Sequence, residues 1–78
     1  MIFEDINYFK QACKNIIGNK QAKAVNYAVN YARMGLTLTD IESARTQALY
    51  ILSNITYWRG SIASETRSIL KNFLEATK

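Results

Sequence analysis

Catalytic chemistry has little support among the residue types of this 78-residue chain. It contains no histidine, the side chain most often used for proton transfer near neutral pH. Cys13 therefore lacks a histidine partner, and its position in an apolar stripe predicts a buried, inert thiol. Asp40 and Glu42 are two residues apart, so they diverge on a helix. Since no glycine-rich phosphate loop occurs either, we expect no enzymatic activity, no cofactor and no metal site.

Recognition of a partner is better supported, most clearly by the segment 57–60, which reads Tyr-Trp-Arg-Gly. These three side-chain types, tyrosine, tryptophan and arginine, are enriched at the hot spots of protein interfaces. Trp58 continues an apolar helical stripe, which favours burial at the end of a bundle, with an interface anchor as the alternative. Arg59 lies off that stripe. It is therefore a candidate contact together with Tyr57, although its cation could instead serve terminal carbonyls.

Positive charge is concentrated in the first half of the chain. The formal net charge is +4, and no acid occurs between Ile6 and Thr39. The candidate partner-binding residues in this half are Lys20, Lys23, Asn26, Asn30 and Arg33. A basic patch on a small protein suggests an acidic partner. Our first hypothesis is a non-enzymatic interaction module that binds a protein, with an acidic protein as the expected partner.

Nucleic-acid binding by the same basic surface is the alternative function. Lysine, arginine, tyrosine and asparagine side chains contact phosphates and stack on bases. Tyr27 and Tyr31 could equally be half-buried packing residues, however. The helix-turn-helix signature expects a small residue four positions before its turn glycine. The residue at that position before Gly35 is Tyr31, which is too large, so this motif is not indicated. A purely structural homo-oligomer is a third reading.

The elements that must position these residues are predicted to be helices. A first helix is expected from about Glu4 or Asp5 to Ile17, because apolar residues recur there at steps of three and four. Gly18 suits the left-handed position that closes a helix. Asn19 is then expected to cap the second helix by accepting a backbone N–H.

The second helix is predicted over Lys20–Met34, with Gly35 ending it. A four-residue period places Ala24, Ala28 and Ala32 on one ridge, where small side chains permit close approach of another helix. A domain this small has little stability to spare. We therefore predict a homodimer through this ridge.

The third helix is predicted over Thr39–Trp58, started by a capping box of Thr39 and Glu42 and closed by Gly60. Its middle is apolar most of the way round, so we expect it at the centre of the fold. Ser61 begins the fourth helix. Its predicted inner face consists of Ile62, Thr66, Ile69, Leu70, Phe73 and Leu74. The last two helices could instead form one long kinked helix. The predicted fold is an all-α compact bundle of four short helices in one domain.

The cellular location predicted from composition is the cytoplasm. A single cysteine cannot form an internal disulfide, which favours a reducing compartment. The amino end is acidic and leads into no apolar signal segment. The longest stretch without charge, Thr46–Trp58, is too short to cross a membrane. We expect neither targeting nor membrane association.

The run from Leu49 to Gly60, Leu-Tyr-Ile-Leu-Ser-Asn-Ile-Thr-Tyr-Trp-Arg-Gly, is followed by Arg67 and Leu70-Lys71. This pattern resembles the carboxy-terminal half of small uncharacterised proteins from phages and mobile elements of Gram-positive bacteria. The resemblance covers about half of the chain. It implies an accessory protein, encoded by a phage or prophage, in the cytoplasm of a bacterial host, and it implies no activity and no site residues.

Overall fold

A computed structural model describes residues 2–78. They form four α-helices, which are α1 (Ile6–Gly18), α2 (Asn26–Gly35), α3 (Ile41–Ser53) and α4 (Ser61–Ala76). Two 3₁₀-helices, Ile2–Glu4 and Lys23–Val25, precede α1 and α2. The described part of the chain contains no strand. The prediction of an all-α compact bundle of four helices is therefore confirmed.

Helices α1 and α4 lie side by side in opposite directions. The rings of Phe9, early in α1, and Phe73, late in α4, have centroids 5.3 Å apart. At the other end, the Asn15 amide donates to the Thr66 hydroxyl over 3.2 Å. Phe9 and Phe73 are the largest side chains that the described chain buries completely.

Helices α3 and α4 are also antiparallel, and an arginine joins them near each end. Arg45, in the first half of α3, donates to the carbonyl of Leu74 over 2.6 Å. Arg67, in the first half of α4, donates to the carbonyl of Ile55, just after α3, over 3.2 Å. These bonds satisfy carbonyls that helix ends and turns leave without helical partners.

Helices α1 and α3 each contact all three other helices, so α3 has neighbours on several sides, as predicted for the central helix. It shares this position with α1, whose contacts are more extensive. Leu49 and Tyr50 in α3 are 55% and 52% exposed, so the apolar residues that surround this helix do not all meet neighbours. The fully buried core is Phe9, Ala12, Cys13, Ile16, Val25, Ala28, Ala32, Ala44, Ala48, Ile51, Ile55, Ala63, Leu70 and Phe73.

The connection between α1 and α2 is longer than predicted, and α2 begins at Asn26 instead of Lys20. Asn19 does not cap the second helix. Its side-chain amide donates to the Asn15 carbonyl over 2.8 Å, so it closes α1. Gly18 is the last residue of α1, and its backbone is not left-handed as predicted. Within residues 2–78, Gly60 alone has a positive φ. Asn19 provides the closing bond that we assigned to glycine.

The start and end of α3 also differ from the prediction. The capping residue is Asp40, whose carboxylate accepts the Ser43 N–H over 2.9 Å, so the expected box of Thr39 and Glu42 is wrong. This bond lowers the pKa of Asp40, because it stabilises the ionised carboxylate. The helix ends at Ser53 rather than at residue 58.

The alanine ridge of α2 packs into the core of its own chain. Ala28 and Ala32 are fully buried in the core, and Ala24 is half-buried against it. The small side chains do permit close packing, but the neighbour is within the same molecule. The surface on which we predicted a homodimer is therefore not available to a second copy.

Helix α4 is separate from α3 and begins at Ser61, as predicted, so the alternative of one long kinked helix is wrong. Gly60 has φ 113° and ψ 175°, a conformation that essentially only glycine adopts, and the chain turns there. Thr66, Ile69, Leu70 and Phe73 form the buried face as predicted. Ile62 is exposed, and Ala63 is buried in its place. No helix in the described part of the chain is long and apolar enough to span a membrane.

Candidate functional site

Four exposed tyrosines lie on the side of the bundle formed by α2, α3 and the segment after α3. We call Tyr27, Tyr31, Tyr50 and Tyr57 the tyrosine surface. Tyr27 and Tyr57 are 77% and 82% exposed, and Tyr31 is 38% exposed. Exposed aromatic rings in one place are unusual on a small monomer and are characteristic of interaction sites.

The middle of the tyrosine surface is a stacked pair that joins α2 to α3. The rings of Tyr31 and Tyr50 have centroids 5.6 Å apart and an interplanar angle of 24°. Gln47 donates to the backbone carbonyl of Tyr31 over 2.8 Å, which ties the same two helices together. Tyr27 lies one helical turn before Tyr31, so its ring is on the same side of α2.

A cleft of about 340 Å³ lies at the end of the tyrosine surface, with Tyr27 and Tyr57 in its walls. Its lining is Lys23, Ala24, Tyr27, Ser53, Asn54, Thr56 and Tyr57. Asn54 connects the cleft to the stacked pair, because its side-chain amide donates to the Tyr50 carbonyl over 2.8 Å. The lining includes no acid and one cation, the Lys23 ammonium. The cleft therefore combines apolar rings with a single positive charge.

The segment 54–60 presents Tyr57 between two buried anchors. Ile55 is completely buried, and Trp58 is nearly so. The Arg67 guanidinium donates to the carbonyls of both residues, over 3.2 Å to Ile55 and 2.8 Å to Trp58. The Trp58 N–H also donates to the Ile55 carbonyl over 3.1 Å. Tyr57 is thus exposed on a segment whose flanking residues are fixed in the core.

Burial of Trp58, the reading that we favoured, is confirmed. Arg59 is exposed, but its guanidinium donates to the Thr56 carbonyl of its own segment over 2.8 Å. This corresponds to the alternative in which Arg59 serves carbonyls, although the carbonyls belong to a turn and not to a helix end. A contact between Arg59 and a partner stays a prediction.

The structure does not bring all the basic-half candidates to one face. Lys20, Asn26, Asn30 and Arg33 are exposed, as is Lys23, but only Lys23 lines the cleft. Lys20 and Lys23 precede α2, so the expectation of one helix carrying both lysines and Arg33 is wrong. Arg33 follows Tyr31 by two residues, which places it about 200° around α2 from that ring. Arg33 therefore lies away from the tyrosine surface.

The arginines of the second half differ in their bonding from the cations of the first half. Arg45, Arg59 and Arg67 all donate to backbone carbonyls. By contrast, no hydrogen bond or ion pair within residues 2–78 involves the side chains of Lys10, Lys14, Lys20, Lys23 and Arg33. In the described part of the chain, these five cations are therefore not paired with any acid.

Cys13 is completely buried, as predicted. Burial raises the pKa of its thiol to about 12, because the charged thiolate would lose its hydration. The thiol is therefore protonated near neutral pH. Within residues 2–78, no group of three or more cysteine, aspartate or glutamate side chains is placed to hold a metal ion.

Two features of the site were not predicted. The Tyr31–Tyr50 stack joins residues on different helices, so no local spacing shows it. Arg67 looks like any exposed charge of an amphipathic helix, and its role depends on where the segment after α3 runs. Tyr27 and Tyr31 did stand out by their four-residue period, but the period alone did not show that they are exposed.

Comparisons of the chain with protein-family models, with curated proteins and with solved structures gave no match.

Proposed function

We propose that this protein is a small interaction module that binds an acidic segment of a partner protein through the tyrosine surface. The observation that carries the proposal is the continuous set of exposed tyrosines beside Lys23, a cation without a polar partner within residues 2–78. The proposal includes a phage or prophage origin and a host or phage protein as the partner, in the cytoplasm of a bacterial host. That part rests on the resemblance of residues 49–60.

The composition of the surface favours a protein partner. Tyrosine supplies a large, rigid contact area with little loss of conformational entropy, and it is enriched where interfaces are tightest. Met34 extends the same side of α2 one turn beyond Tyr31 and is 57% exposed. An exposed methionine and four exposed rings fit an apolar contact with another protein.

The stacked pair argues in the same direction. Base binding uses the faces of aromatic rings. Tyr31 and Tyr50 already cover part of each other's faces, so this pair offers less ring face than two separate rings would. The pair is therefore less suited to a row of stacked bases than to side chains and backbone groups of a protein.

The test is site-specific photo-crosslinking in the producing cell, with a photoreactive phenylalanine analogue at position 57 or 50. The control carries the same analogue at Ser68, which is exposed on α4, a helix that does not line the cleft. We expect both test positions, and not Ser68, to crosslink to the same acidic segment of one protein, identified by mass spectrometry. Crosslinks at all three positions, or none, would contradict the proposal. Crosslinks to a second copy would show a homodimer instead.

The unpaired cations of the first half support nucleic-acid binding as a second candidate. If nucleic acid is the partner, reversing Lys20 and Lys23 to glutamate should weaken binding to unrelated sequences equally and reduce the salt dependence. The matched control reverses Lys71 and Lys78, which are also exposed and lie on and just after α4. Fluorescence anisotropy with labelled single- and double-stranded oligonucleotides measures both effects. Equal losses in the two double variants would indicate nonspecific attraction to net charge and would argue against a nucleic-acid site.

A further inference from the structure

We infer that the cleft between Tyr27 and Tyr57 is a pocket for one aromatic side chain of the partner, with a neighbouring carboxylate of the same segment bound by Lys23. This inference rests on the proposed function and names the chemistry that the site would recognise. The partner segment is therefore acidic and carries a phenylalanine, tyrosine or tryptophan next to an aspartate or glutamate.

The size of the cleft sets the first limit on what it can hold. At about 340 Å³ it lies at the lower end of the range of ligand pockets. Such a volume accepts a single large side chain with the adjoining backbone, and it is too small for a whole helix. Two tyrosine rings in its walls favour a flat ring, because aromatic pairs gain from offset or edge-to-face packing beyond the burial of area.

The polar groups of the cleft set the second limit. The hydroxyls of Ser53 and Thr56 and the amide of Asn54 already donate to backbone carbonyls of α3. The Lys23 ammonium has no such partner among the described residues. The strongest donor that the cleft offers is thus one cation at its edge, which matches one anionic group close to the inserted ring.

The third observation is that the backbone on both sides of Tyr57 is already fixed before a ligand enters the cleft. Tyr57 is held between Ile55 and Trp58, whose carbonyls both accept from Arg67. The backbone that carries Tyr57 is therefore already ordered, so the conformational cost of binding on this side of the cleft is that of the Tyr57 side chain alone.

The experiment is a titration of the ¹⁵N-labelled protein with a short acidic peptide that carries a central phenylalanine, followed by NMR chemical-shift mapping up to about 5 mM peptide, which detects a millimolar Kd. Two comparison peptides replace the phenylalanine by alanine, or every acid by its amide. We expect the largest shifts at Lys23, Tyr27, Asn54 and Tyr57. Each comparison peptide should bind roughly tenfold more weakly.

Two matched pairs of variants test the residues themselves. Tyr57→Ala should weaken binding of the phenylalanine peptide roughly tenfold, whereas Ser68→Ala, on a helix that does not line the cleft, should leave it unchanged. Lys23→Gln should weaken binding roughly threefold or more, whereas Lys71→Gln, on a helix that does not line the cleft, should have a smaller effect. All four positions are exposed, so the fold is expected to survive each change.

The inference is overturned if the shifts lie elsewhere, if none occur, or if the alanine peptide binds as well as the phenylalanine peptide. A thymidine oligonucleotide is titrated in parallel; binding at the cleft that exceeds peptide binding and needs Lys23 also overturns it, in favour of the nucleic-acid candidate. If position 57 crosslinks to a partner protein but the peptide does not bind, the aromatic pocket is refuted and the proposed function stands. If there is neither a crosslink nor peptide binding, both the pocket and the proposed function are refuted.

Discussion

Gly35 lies where a side chain would collide with the core. A Cβ atom built on it would be 2.8 Å from the Cys13 sulfur and 3.0 Å from the Phe9 Cζ atom. We therefore expect Gly35→Ala to lower the free energy of unfolding by about 1–3 kcal/mol, because overpacking forces neighbouring groups to move. Urea denaturation followed by circular dichroism measures the change.

Gly18 provides the matched control for that substitution. It is also the last residue of its helix, but a Cβ there would meet nothing within 4 Å. Gly18→Ala should therefore be neutral or should stabilise the fold by up to about 1 kcal/mol, through higher helix propensity. Equal effects of the two substitutions would show that the contact of Gly35 with Cys13 and Phe9 is not tight.

Asp40 makes part of the stability depend on pH. Its pKa is lowered in the folded state by the bond from the Ser43 N–H, so its contribution is present above the ordinary carboxyl pKa of about 4 and is lost as the pH falls through the lower folded value. The asparagine in Asp40→Asn can still accept the bond from the Ser43 N–H but carries no charge. We therefore expect this variant to have a lower Tm than the wild type near neutral pH. The difference in Tm should shrink towards zero at about pH 2. A difference that is independent of pH would show that the charge of Asp40 plays no part.

At the scale of single residues, the sequence predicts burial better than hydrogen bonding. Cys13 and Trp58 were correctly expected to be buried, since each belongs to an apolar stripe. The cap of α3 was missed by one residue because Thr39 and Asp40 are both good capping types. The choice between them depends on the path by which the chain enters the helix. Local patterns do not contain that path.

At the scale of elements, the end of helix α3 was predicted incorrectly although two residues beyond it are buried as expected. Its apolar period continues to residue 58, yet the helix ends at Ser53 and the next residues turn. Ile55 and Trp58 remain buried in this turn, so their apolar character reflects the core and does not reflect the helix. Periodicity alone therefore predicted the burial of Ile55 and Trp58 correctly, but on a helix whose predicted end lay five residues too late.

Arg67 is expected to hold the turn after α3 in place. Replacing it by alanine removes the donor to the carbonyls of Ile55 and Trp58, and we expect a loss of about 1.5–3 kcal/mol in the free energy of unfolding. Arg59→Ala is the control, since Arg59 is exposed and bonds only within its own turn. That change should cost less than about 1 kcal/mol and leave the helical spectrum intact. Similar losses in the two variants would mean that Arg67 has no special role.

The whole molecule packs around the small residues of α2. Ala28→Leu should destabilise the protein by about 1–3 kcal/mol, because Ala28 is completely buried within the chain. Asn30→Ala, an exposed change on the same helix, should be neutral or slightly stabilising. Urea denaturation gives both values, and light scattering checks the mass. If Ala28→Leu changes the solution mass of the protein but not its stability, the alanine ridge is a dimer interface after all.

The tyrosine surface also belongs to this scale. Its residues come from α2, from α3 and from the turn after α3, and they meet only because α2 and α3 are packed together. The sequence marked Tyr57 and Lys23 as candidates by residue type, and the structure places both at one cleft. Tyr27 and the Tyr31–Tyr50 stack could not be assigned in advance, because their exposure is set by which side of each helix the core takes.

The burial of Trp58 gives the molecule a built-in optical reporter. Trp58 is the only tryptophan in the chain, and it follows Tyr57 directly. Its indole is shielded from water, so its emission lies at shorter wavelength than that of a hydrated indole and moves to longer wavelength when the turn opens. Nearby tyrosines absorb at shorter wavelength and can pass their excitation to this indole. A ring that enters the cleft would disturb that transfer, so occupancy could be followed by fluorescence without any label.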